Sequence, residues 1–516
     1  MKARSRQTRA VQHPNPQHAE MAANMYTQLL KLSAAGSLAL LTACAVGPRY
    51  VTPEMALPAH YKHALSPQEP AGQWQPAQPA ETALRGAWWK LFNDPALDAL
   101  QDAAFEANPS LQVAWARLDK ARALHRQARS DLSPQIATGL GLSRERPSPV
   151  SEGLAQNASV PYTTTWHAQA GISYEVDLFR RVANAAAGAR AEMQRNAALY
   201  QSVLLALQAD LAQSYFLLQE LDTQRDVYAR AMAMRSAAYR LLQQRHAAGD
   251  ASALDVARAQ AALESARSEA LALDARRALA ENALAVLTGK APAAFSAPFS
   301  RLQQVDIHIP AGLPSTLLER RPDIAAAERA MAAANARVGG AQAAFFPRLA
   351  LTAAAGFESA ELGQLLDWSS RTFVLGPLAG AALSLPLFDG GARRAQVDHA
   401  LAHYEEEVAN YRHTVLNAFR EVEDSLAGLR FLALQAAAQE AATSAAQRAG
   451  EFAQLRHHQG DISQLELLDA QRFLLDQQLA ATQLRAQQAR TVVQLIRALG
   501  GGWSRADQAP AAVGLS

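Results

Sequence analysis

The sequence has a single cysteine, few aromatic residues and no long apolar run. One cysteine rules out an intrachain disulfide. No apolar stretch reaches the roughly 18 residues that a membrane-spanning helix requires. Aromatic residues make up only 6% of the chain, whereas Ala, Gln, Leu and Arg are abundant. That composition favours long helices that pack closely through small side chains.

An excess of charge and the common catalytic motifs are also missing. The 49 basic and 47 acidic residues leave a net charge of +2, and the basic residues are scattered along helix faces, so we expect no nucleic-acid partner. We find no Gly-x-Ser-x-Gly elbow, phosphate-binding glycine loop or zinc motif, and the acidic run at 405–407 lies on a predicted helix surface. The sequence therefore predicts no catalytic residue, cofactor or metal site, and a protein that is not an enzyme.

The cysteine lies in a specific setting. The segment KLSAAGSLALLTAC (31–44) places a short apolar run and small residues before Cys44, and it resembles a bacterial lipoprotein signal. We expect residues 1–43 to be removed and Cys44 to become the lipidated first residue, with Ala45 favouring the outer membrane. The alternative is an ordinary signal peptide followed by a buried free cysteine. Translation could start at any of three methionines: Met1, Met21 or Met25.

One turn occurs twice in the chain. RHAAGDASALDVARAQ (245–260) recurs 211 residues later as RHHQGDISQLELLDAQ (456–471), with half the positions identical. Gly249 and Gly460 are predicted to be left-handed helix C-caps, and Ser252 and Ser463 to open the next helix with an acidic residue three positions on. Each turn is therefore predicted to be the tip of an antiparallel helical hairpin. The tip residues are Arg245, Gly249, Asp250, Ser252, Arg456, Gly460, Asp461 and Ser463.

The segments on either side of these turns are predicted to be helices. Apolar residues spaced four and three apart run from about Val182 to His246, which predicts a helix of roughly 100 Å. The helices after the turns are predicted to end near Leu287 and Leu499. Two shorter helices, which begin near Asn108 and Arg321, are related by an offset of 213 residues, and each ends at a proline.

Four segments alternate apolar with small or polar residues, as strands do. They are QIATGLGLS (135–143), TWHAQAGISYEVDLF (165–179), RLALTAAAGFES (348–359) and FVLGPLAGAALSLPLF (373–388). In the last segment five apolar residues are predicted to share a face: Phe373, Leu375, Leu383, Leu385 and Leu387. Alternation this long is typical of membrane β-strands, and the alternative is the sheet of a soluble sandwich.

Four strands cannot close a barrel, and open sheet edges are not tolerated in lipid. If the four strands lie in a membrane, the chain must therefore oligomerise with cyclic symmetry. Two copies would give eight strands with little or no channel, three would give twelve, and four would give sixteen. Physical reasoning alone leaves three and four copies open.

Motifs along nearly the whole mature chain resemble the TolC-like outer membrane efflux channels, in their OprM-like (NodT-type) lipoprotein branch. They are CAVGPRY (44–50), WWKLFNDPALDAL (88–100), YEVDLF (174–179), LPSTLLERRPDIAAAER (313–329), AFFPRLALT (344–352), LPLFDGGARRA (385–395) and QGDISQLELLDAQ (459–471). The expected fold class is an α+β membrane protein. Its two tandem repeats would supply four β-strands of a shared transmembrane β-barrel and the long helical hairpins of a periplasmic α-barrel.

The expected domains follow the two repeats. They are the signal peptide (1–43), an N-terminal extended segment (44–92), repeat 1 (93–300), repeat 2 (301–503) and a C-terminal tail (504–516).

The resemblance implies a function and partners. The chain would be the outer membrane channel of a tripartite efflux pump, a passive exit duct for drugs or other small molecules that is lipid-anchored and extends into the periplasm. Its partners would be two further copies of itself, outer membrane lipid, a periplasmic adaptor protein and an inner-membrane transporter of the resistance–nodulation–division type. The alternative function is a lipid-anchored coiled-coil spacer or adhesin, which would leave the four alternating segments without a role.

The resemblance also assigns roles at the second tip. Leu465 and Asp469 match the residues that narrow the periplasmic entrance, and Glu466 matches a second constricting carboxylate, although a helix-capping role for Glu466 is equally expected. The first repeat has Arg258 where the second has Asp469. His457 and His458 point to different sides of a helix, which favours surface or adaptor contacts over a metal site.

One position departs from the family pattern. Arg180 follows the YEVDLF motif where relatives usually carry glycine, whereas the second repeat keeps Gly390 and Gly391. If this junction requires a positive φ, Arg180 is strained there; otherwise the bend differs.

Overall fold

A computed structural model describes residues 46–53, 61–63, 87–303, 320–374 and 381–501. The predicted signal peptide, the alternative start methionines, Cys44, Leu375 and the C-terminal tail lie outside the described residues. In chain order, the helices are α1 (Pro95–Ala107), α2 (Pro109–Ser130), α3 (Arg181–Ala247), α4 (Ala253–Leu287), α5 (Pro322–Ala343), α6 (Ala392–Gln459) and α7 (Gln464–Ala498). The strands are β1 (Gln135–Glu145), β2 (Thr163–Val176), β3 (Arg348–Ser359), β4 (Arg371–Val374) and β5 (Ala381–Ser384).

The chain divides into two compact units. One contains the five strands and the adjoining ends of helices, within Arg126–Gly188 and Asn335–Ala402. The other contains most of the helical residues, within Val51–His125, Ala189–Ala334 and His403–Ser516. Helices α3 and α6 have 67 and 68 residues, and α4 and α7 have 35 each. The order of helix, strands, very long helix, turn and helix therefore occurs twice, with two strand segments in the first repeat and three in the second.

The strands form one antiparallel sheet in the order β1-β2-β3-β4, with β5 also paired to β3. Ile136 pairs with Ile172, and Ile172 pairs with Ala353. Within the described residues β1 pairs only with β2, and β4 and β5 pair only with β3. Among the residues that the structure describes, both outer edges of this sheet thus lack a partner strand.

The fourth predicted strand is present as two segments, so its prediction as one continuous strand was wrong. Ala354 pairs with Val374 in β4, whereas Leu351 pairs with Ala381 in β5. From Ala354 to Leu351 is three residues along β3, whereas from Val374 to Ala381 is seven residues along the opposing segment. The pairing of β5 with β3 is therefore shifted by four residues relative to that of β4. The sequence between the two segments contains Gly376 and Pro377, and a proline cannot donate to the strand ladder.

Leu385 and Leu387, predicted to continue the same strand, lie beyond its end. Pro386 stands between them and explains the stop, because it lacks the backbone N–H that a further ladder bond requires.

Short apolar side chains allow the helices to pack closely. Ala198 of α3 is fully buried against Ala325 and Ala326 of α5. Further along α3, Val227 and Ala231 pack on Leu475 of α7. Alanine at such contacts lets helix backbones approach with little loss of side-chain freedom. Among the residues that the structure describes, no helix combines the length and apolar character needed to cross a membrane.

Ion pairs fix the neighbours of α3. Asp222 of α3 lies 2.6 Å from Arg277 of α4, and Glu220 lies 2.8 Å from Arg490 of α7. Burial raises the pKa of Glu220, and the charge and hydrogen bond of Arg490 oppose this shift. Because the two carboxylates are two positions apart on a helix, they point to different sides of α3, and they orient it between α4 and α7.

Each short helix is joined to a hairpin helix by an equivalent contact in the two repeats. Asn108, directly before α2, donates from Nδ2 to the carbonyl of Leu287 at the end of α4 (2.9 Å). Arg321, directly before α5, donates to the carbonyl of Ala498 at the end of α7 (3.1 Å). The contact between a short helix and the end of a hairpin helix is therefore present in both repeats.

Arg321 also holds the second junction through charge. It contacts Asp323 and Glu421, each at 2.6 Å, and only 9% of its side chain is exposed. Burial lowers the pKa of the Arg321 guanidinium, but its hydrogen bonds and ion pairs with these carboxylates outweigh that effect and raise it. Arg321 is thus charged, and its guanidinium binds Asp323, Glu421 and the carbonyl of Ala498 at this junction.

Candidate channel wall and hairpin tips

One face of the sheet is mainly apolar, and its polar residues are Thr138 in mid-strand and Arg144, Thr164, Ser359 and Arg371 near one end of the strands. Directly paired residues of antiparallel strands project to the same face, so the register defines this set. Its apolar members are Ile136, Leu140, Leu142, Trp166, Ala168, Ala170, Ile172, Tyr174, Val176, Leu349, Leu351, Ala353, Ala355, Phe357, Ala381 and Leu383. Ile136 and Leu140 are 74% and 71% exposed. Such exposure of large aliphatic side chains indicates a surface that meets an apolar phase or another protein.

The opposite face is small and polar. It comprises Gln135, Gly139, Gly141, Ser143, Glu145, Thr165, His167, Gln169, Gly171, Ser173, Glu175, Thr352, Gly356, Glu358, Thr372 and Ser384. A face of this composition suits contact with water. The combination of one apolar and one polar face is that of a barrel strand between lipid and an aqueous lumen.

The apolar face is comparable in height with the apolar band of an outer-membrane barrel. Along β2 it extends from Trp166 to Tyr174, and both are aromatic residues of the kind enriched where a membrane meets water. These eight residue steps correspond to about 27 Å along the strand at roughly 3.4 Å per residue, and a strand tilt of about 40° reduces this to about 21 Å across the membrane. Outer-membrane barrels have an apolar band of about 25 Å between aromatic girdles.

The strand-to-helix junctions depend on unusual backbone. Arg180, directly before α3, has φ 60°, and Gly391, directly before α6, has φ 93°. The sequence departure at Arg180 therefore does place a non-glycine residue in the left-handed region. Arg181 compensates nearby, because it binds both carboxylate oxygens of Glu175 at 2.8 and 2.6 Å.

An aspartate caps the long helix at each junction. Asp177 accepts hydrogen bonds from the backbone of Val182 and Ala183. Asp389 accepts from the backbone of Gly391 and Arg393, and the side-chain hydrogen bond from Arg393 holds the pKa of Asp389 below its ordinary value.

The two hairpin tips end in the same helix-capping motif. Gly249 and Gly460 have φ 86° and 84°. In the first tip, Asp250 N donates to Arg245 O (2.8 Å) and Gly249 N donates to His246 O (3.0 Å). The second tip repeats both bonds, from Asp461 N to Arg456 O (2.9 Å) and from Gly460 N to His457 O (3.1 Å). This is the Schellman arrangement, and the predicted glycine C-caps are confirmed.

The helices that leave the tips begin differently. Ser463 and Glu466 form a complete capping box, in which the backbone N–H of each residue donates to the side chain of the other (2.8 and 3.3 Å). At the first tip, Ser252 accepts from Asp255 N (3.1 Å) and donates from its hydroxyl to the Asp255 carboxylate (2.6 Å). Glu466 therefore has a local structural role within one chain.

The remaining residues of the expected gate face solvent. Leu465 is 42% exposed, Asp469 is exposed, and Leu467 between them is buried. Asp469 makes no hydrogen bond or ion pair with any residue that the structure describes. Leu465 and Asp469 are four residues apart on α7 and so lie on one helix face. Arg258, at the equivalent place in the first repeat, is also exposed.

Sequence alternation located the polar face but missed one contact on it. Ser143, His167 and Glu358 come together from β1, β2 and β3. The pattern placed His167 on this face, but Glu358 is 191 positions further along the chain, and the register that pairs the two residues cannot be deduced from the sequence. Within the described residues, no group of three or more potential metal ligands comes together.

Comparison with known proteins decides the family. Two segments, residues 100–290 and 313–501, match the family described as outer membrane efflux protein. The chain belongs to this family. The efflux protein is 36% identical over 476 residues to the toluene efflux pump outer membrane protein TtgC of Pseudomonas putida, covering 92% of this chain and 95% of that relative. It is 34% identical over 481 residues to the outer membrane protein OprJ of Pseudomonas aeruginosa, covering 92% and 97%.

Solved structures show the same architecture. The CmeC outer membrane channel of Campylobacter jejuni matches the efflux protein with a TM-score of 0.82 and 25% identity, over 90% of this chain and 96% of that one. The open state of the MtrE outer membrane channel of Neisseria gonorrhoeae matches with a TM-score of 0.76 and 28% identity, over 90% and 99%. The efflux protein is thus an outer membrane channel component that extends into the periplasm, and its family is one of channels.

Proposed function

We propose that three copies of the efflux protein close a twelve-strand barrel and form a passive exit duct for small molecules. The sheet carries this proposal, because it has one apolar face, one polar face and two unpaired edges. Open edges cost several kcal/mol per unsatisfied group in lipid, and joining each β1 edge to the β4/β5 edge of the next copy removes them. No chemistry is required of the duct, since an inner-membrane transporter supplies the energy.

We further propose that Cys44 is lipidated and anchors the chain in the outer membrane. The chain just after this cysteine packs beside the helices that lead into the sheet. Asn335 Nδ2 donates to the carbonyl of Pro48 (3.0 Å), and Gly47 approaches Gly339 so closely that a Cβ on Gly47 would lie 2.8 Å from the Gly339 Cα. Three extended residues span about 10 Å, so a lipid on Cys44 would stay near this unit.

The hairpin tips are proposed to meet a periplasmic adaptor protein, through which a transporter of the resistance–nodulation–division type delivers cargo. The repeated Schellman turns support this role, because they present rigid loops with exposed Arg245, Asp250, Arg456 and Asp461. The relatives include a toluene efflux pump protein and the antibiotic efflux pump outer membrane protein ArpC of Pseudomonas putida. Small organic molecules are therefore the proposed cargo.

Asp469 and Leu465 are proposed to narrow the periplasmic entrance. Three copies of an exposed, unpaired carboxylate would form a ring of negative charge that attracts cations and narrows the bore. Asp469 suits this role because it has no partner among the described residues, whereas Glu466 is already engaged by Ser463. Glu466 would then support the gate chiefly by fixing the first turn of α7.

Planar-bilayer recording tests the duct. Purified protein should migrate as a heat-labile trimer and give discrete conductance steps, and Asp469→Ala should enlarge the steps and increase antibiotic entry into cells. Arg258→Ala is the matched control from the first repeat and should leave both unchanged. Electrical silence of a correctly assembled trimer would instead support a structural spacer, and an unchanged Asp469→Ala channel would remove the aspartate from the gate.

A further inference from the structure

The polar face of the sheet carries a small titratable cluster near one end of the strands. Ser143 Oγ and His167 Nε2 are hydrogen-bonded at 2.8 Å, and His167 Nδ1 lies 3.8 Å from Glu358 Oε2. His167 and Glu358 are direct partners in the β2–β3 register. The cluster therefore spans three adjacent strands and engages both ring nitrogens of one histidine.

The cluster lies toward the strand ends that are remote from the helices. β1 begins at Gln135, soon after α2, and ends at Glu145, where a loop leads to β2. Ser143 is two residues from that end, and Glu358 is one residue from the end of β3. In a membrane barrel these loops are external, so the cluster belongs to the outer mouth.

Charges on the polar face are distributed unevenly between the two strand ends. Around His167 the polar face carries Ser143 from β1, Thr165 and Gln169 from β2, and Glu358 from β3, and Glu145 of β1 lies opposite Thr163, four residues nearer the loop. At the helix end, Glu175 is paired with Arg181, and Arg348 lies on the same face of β3. Among the described strand residues at this end, the polar face thus carries two carboxylates and one histidine, whereas Arg144 and Arg371 pair with Thr164 and Phe357 on the opposite face.

Histidine is the side chain whose unperturbed ionisation falls between pH 5 and 8. When His167 is neutral, Glu145 and Glu358 give each chain a charge of −2 on the polar face near the loop end of the strands. When His167 is protonated, it forms an ion pair with Glu358 and the charge falls to −1. Rings of charged side chains set the ion preference of a pore, and threefold repetition would multiply the change.

We propose that His167 and Glu358 set the ion selectivity of the outer mouth and make it respond to external pH. The inference rests on the proposed trimeric duct. At neutral pH the mouth prefers cations, and in acid this preference weakens, so anionic molecules pass the mouth more readily. His167 is the residue that reports pH, Glu358 is its charge partner, and Ser143 orients the imidazole.

Reversal potentials in a salt gradient test this assignment. Trimers of the full chain are inserted into planar bilayers from one side, so that the long helices remain on that side, and pH is changed only in the compartment facing the loops. The wild-type ratio of K⁺ to Cl⁻ permeability should fall at least twofold between pH 7.5 and 5.5. His167→Gln should keep the pH 7.5 ratio at both values, and Glu358→Gln should lower the ratio already at pH 7.5.

A second measurement reads the mouth independently of the periplasmic gate. Thr165→Cys places a thiol on the same face, and its relative rates of modification by cationic and anionic methanethiosulfonate reagents report the local potential. The cationic preference should fall in acid, and adding His167→Gln should abolish that change. Equal pH responses with and without His167 in both measurements would overturn the inference. Absence of any conductance would overturn the duct itself.

Discussion

Arg180 has the strained backbone of the first strand-to-helix junction. Its φ of 60° lies in the region that costs a non-glycine residue roughly 1–2 kcal/mol. The side chain is exposed, whereas neighbouring Arg181 and Asp177 make the contacts that fix the junction. The strain at Arg180 is therefore a local cost that the capping and ion-pair contacts of its neighbours offset.

Arg180→Gly should stabilise the protein. Glycine removes the energetic cost of the left-handed conformation. Its greater freedom in the unfolded chain lowers stability by roughly 0.5–1 kcal/mol, so the free energy of unfolding should rise by up to about 1 kcal/mol in total. The thermal midpoint of the detergent-solubilised protein measures it. The opposite substitution at the second junction, Gly391→Arg, should lower the thermal midpoint. A Cβ at Gly391 would meet open space, so the loss would come from the strained backbone alone. A lower midpoint for Arg180→Gly would mean that the arginine side chain stabilises the junction.

Tyr61 should make the protein sensitive to alkali. Burial, aided by the charge of Glu423, raises the pKa of Tyr61 to about 12, against about 10 in an unfolded chain. The neutral phenol therefore contributes stability below pH 10, and this contribution is lost as pH rises from 10 through 12, by on the order of 2–3 kcal/mol in total.

Tyr61→Phe should reduce the fall in thermal midpoint between pH 8 and pH 11. The change should cost little at pH 8, because the Tyr61 hydroxyl has no hydrogen-bond partner among the described residues. Tyr162→Phe, at a position that is 62% exposed, is the control and should keep the wild-type fall. An undiminished alkaline loss in Tyr61→Phe would assign the sensitivity to other groups.

The two hairpins are built alike at their ends but differ in the first turn of the outgoing helix. Both tips use a left-handed glycine and the same pair of backbone bonds. Only the second has a reciprocal capping box, through Ser463 and Glu466. Capping and charge are thus combined in one residue at the tip where the acidic constriction is proposed, and they can be separated by mutation.

Glu466→Gln and Glu466→Ala should have different effects. Glutamine retains the capping box while removing the charge, so hydrogen exchange in the first turn of α7 should stay slow. Alanine removes the charge and the hydrogen bond from the Ser463 backbone, while the Ser463 hydroxyl still accepts from the backbone N–H of residue 466, so exchange there should accelerate about twofold, corresponding to roughly 0.5 kcal/mol. If the conductance of Glu466→Gln matches wild type while that of Glu466→Ala rises, the residue acts through the cap. A rise in both variants would instead show that its charge narrows the pore.

Helices and strand faces were predictable because their signals are local. The four-and-three spacing predicted a helix from Val182 to His246, and α3 runs from Arg181 to Ala247. Strand alternation placed Trp166 and Ile172 on one face, as the register confirms. The predicted fourth strand was too long, although its sequence contains Gly376, Pro377 and Pro386, which disfavour an uninterrupted strand.

Contacts between distant segments were not predictable, because no local pattern encodes them. Arg321 reaches Glu421 and Ala498, which are 100 and 177 residues away. The cluster at His167 depends on the pairing of strands from different repeats. The residues in the Gly-Asp tips could be found because the turn is duplicated, whereas the proposed role of Asp469 came only from family resemblance.

For the molecule as a whole, the decisive property is that the sheet has two chemically distinct faces and two free edges. A soluble sandwich would bury its apolar face against a second sheet, but the five described strands form a single sheet, and Ile136 and Leu140 remain largely exposed. The apolar face therefore requires either lipid or another protein to cover it. Insertion of three joined sheets into a bilayer covers the face and pairs the edges at once.

Neighbouring substitutions on β2 test which face meets lipid. Ala170 lies mid-strand on the apolar face, paired with Thr138 and Ala355, and Gln169 lies beside it on the polar face. An arginine on the lipid side near the midplane costs about 2–4 kcal/mol per chain, so Ala170→Arg should sharply reduce heat-labile trimer in outer membranes. Gln169→Arg should assemble normally, because its charge would face water, and should shift the channel toward anions. Normal assembly of Ala170→Arg together with failure of Gln169→Arg would invert the assignment of the faces, since the same charge is introduced one residue away on the same strand.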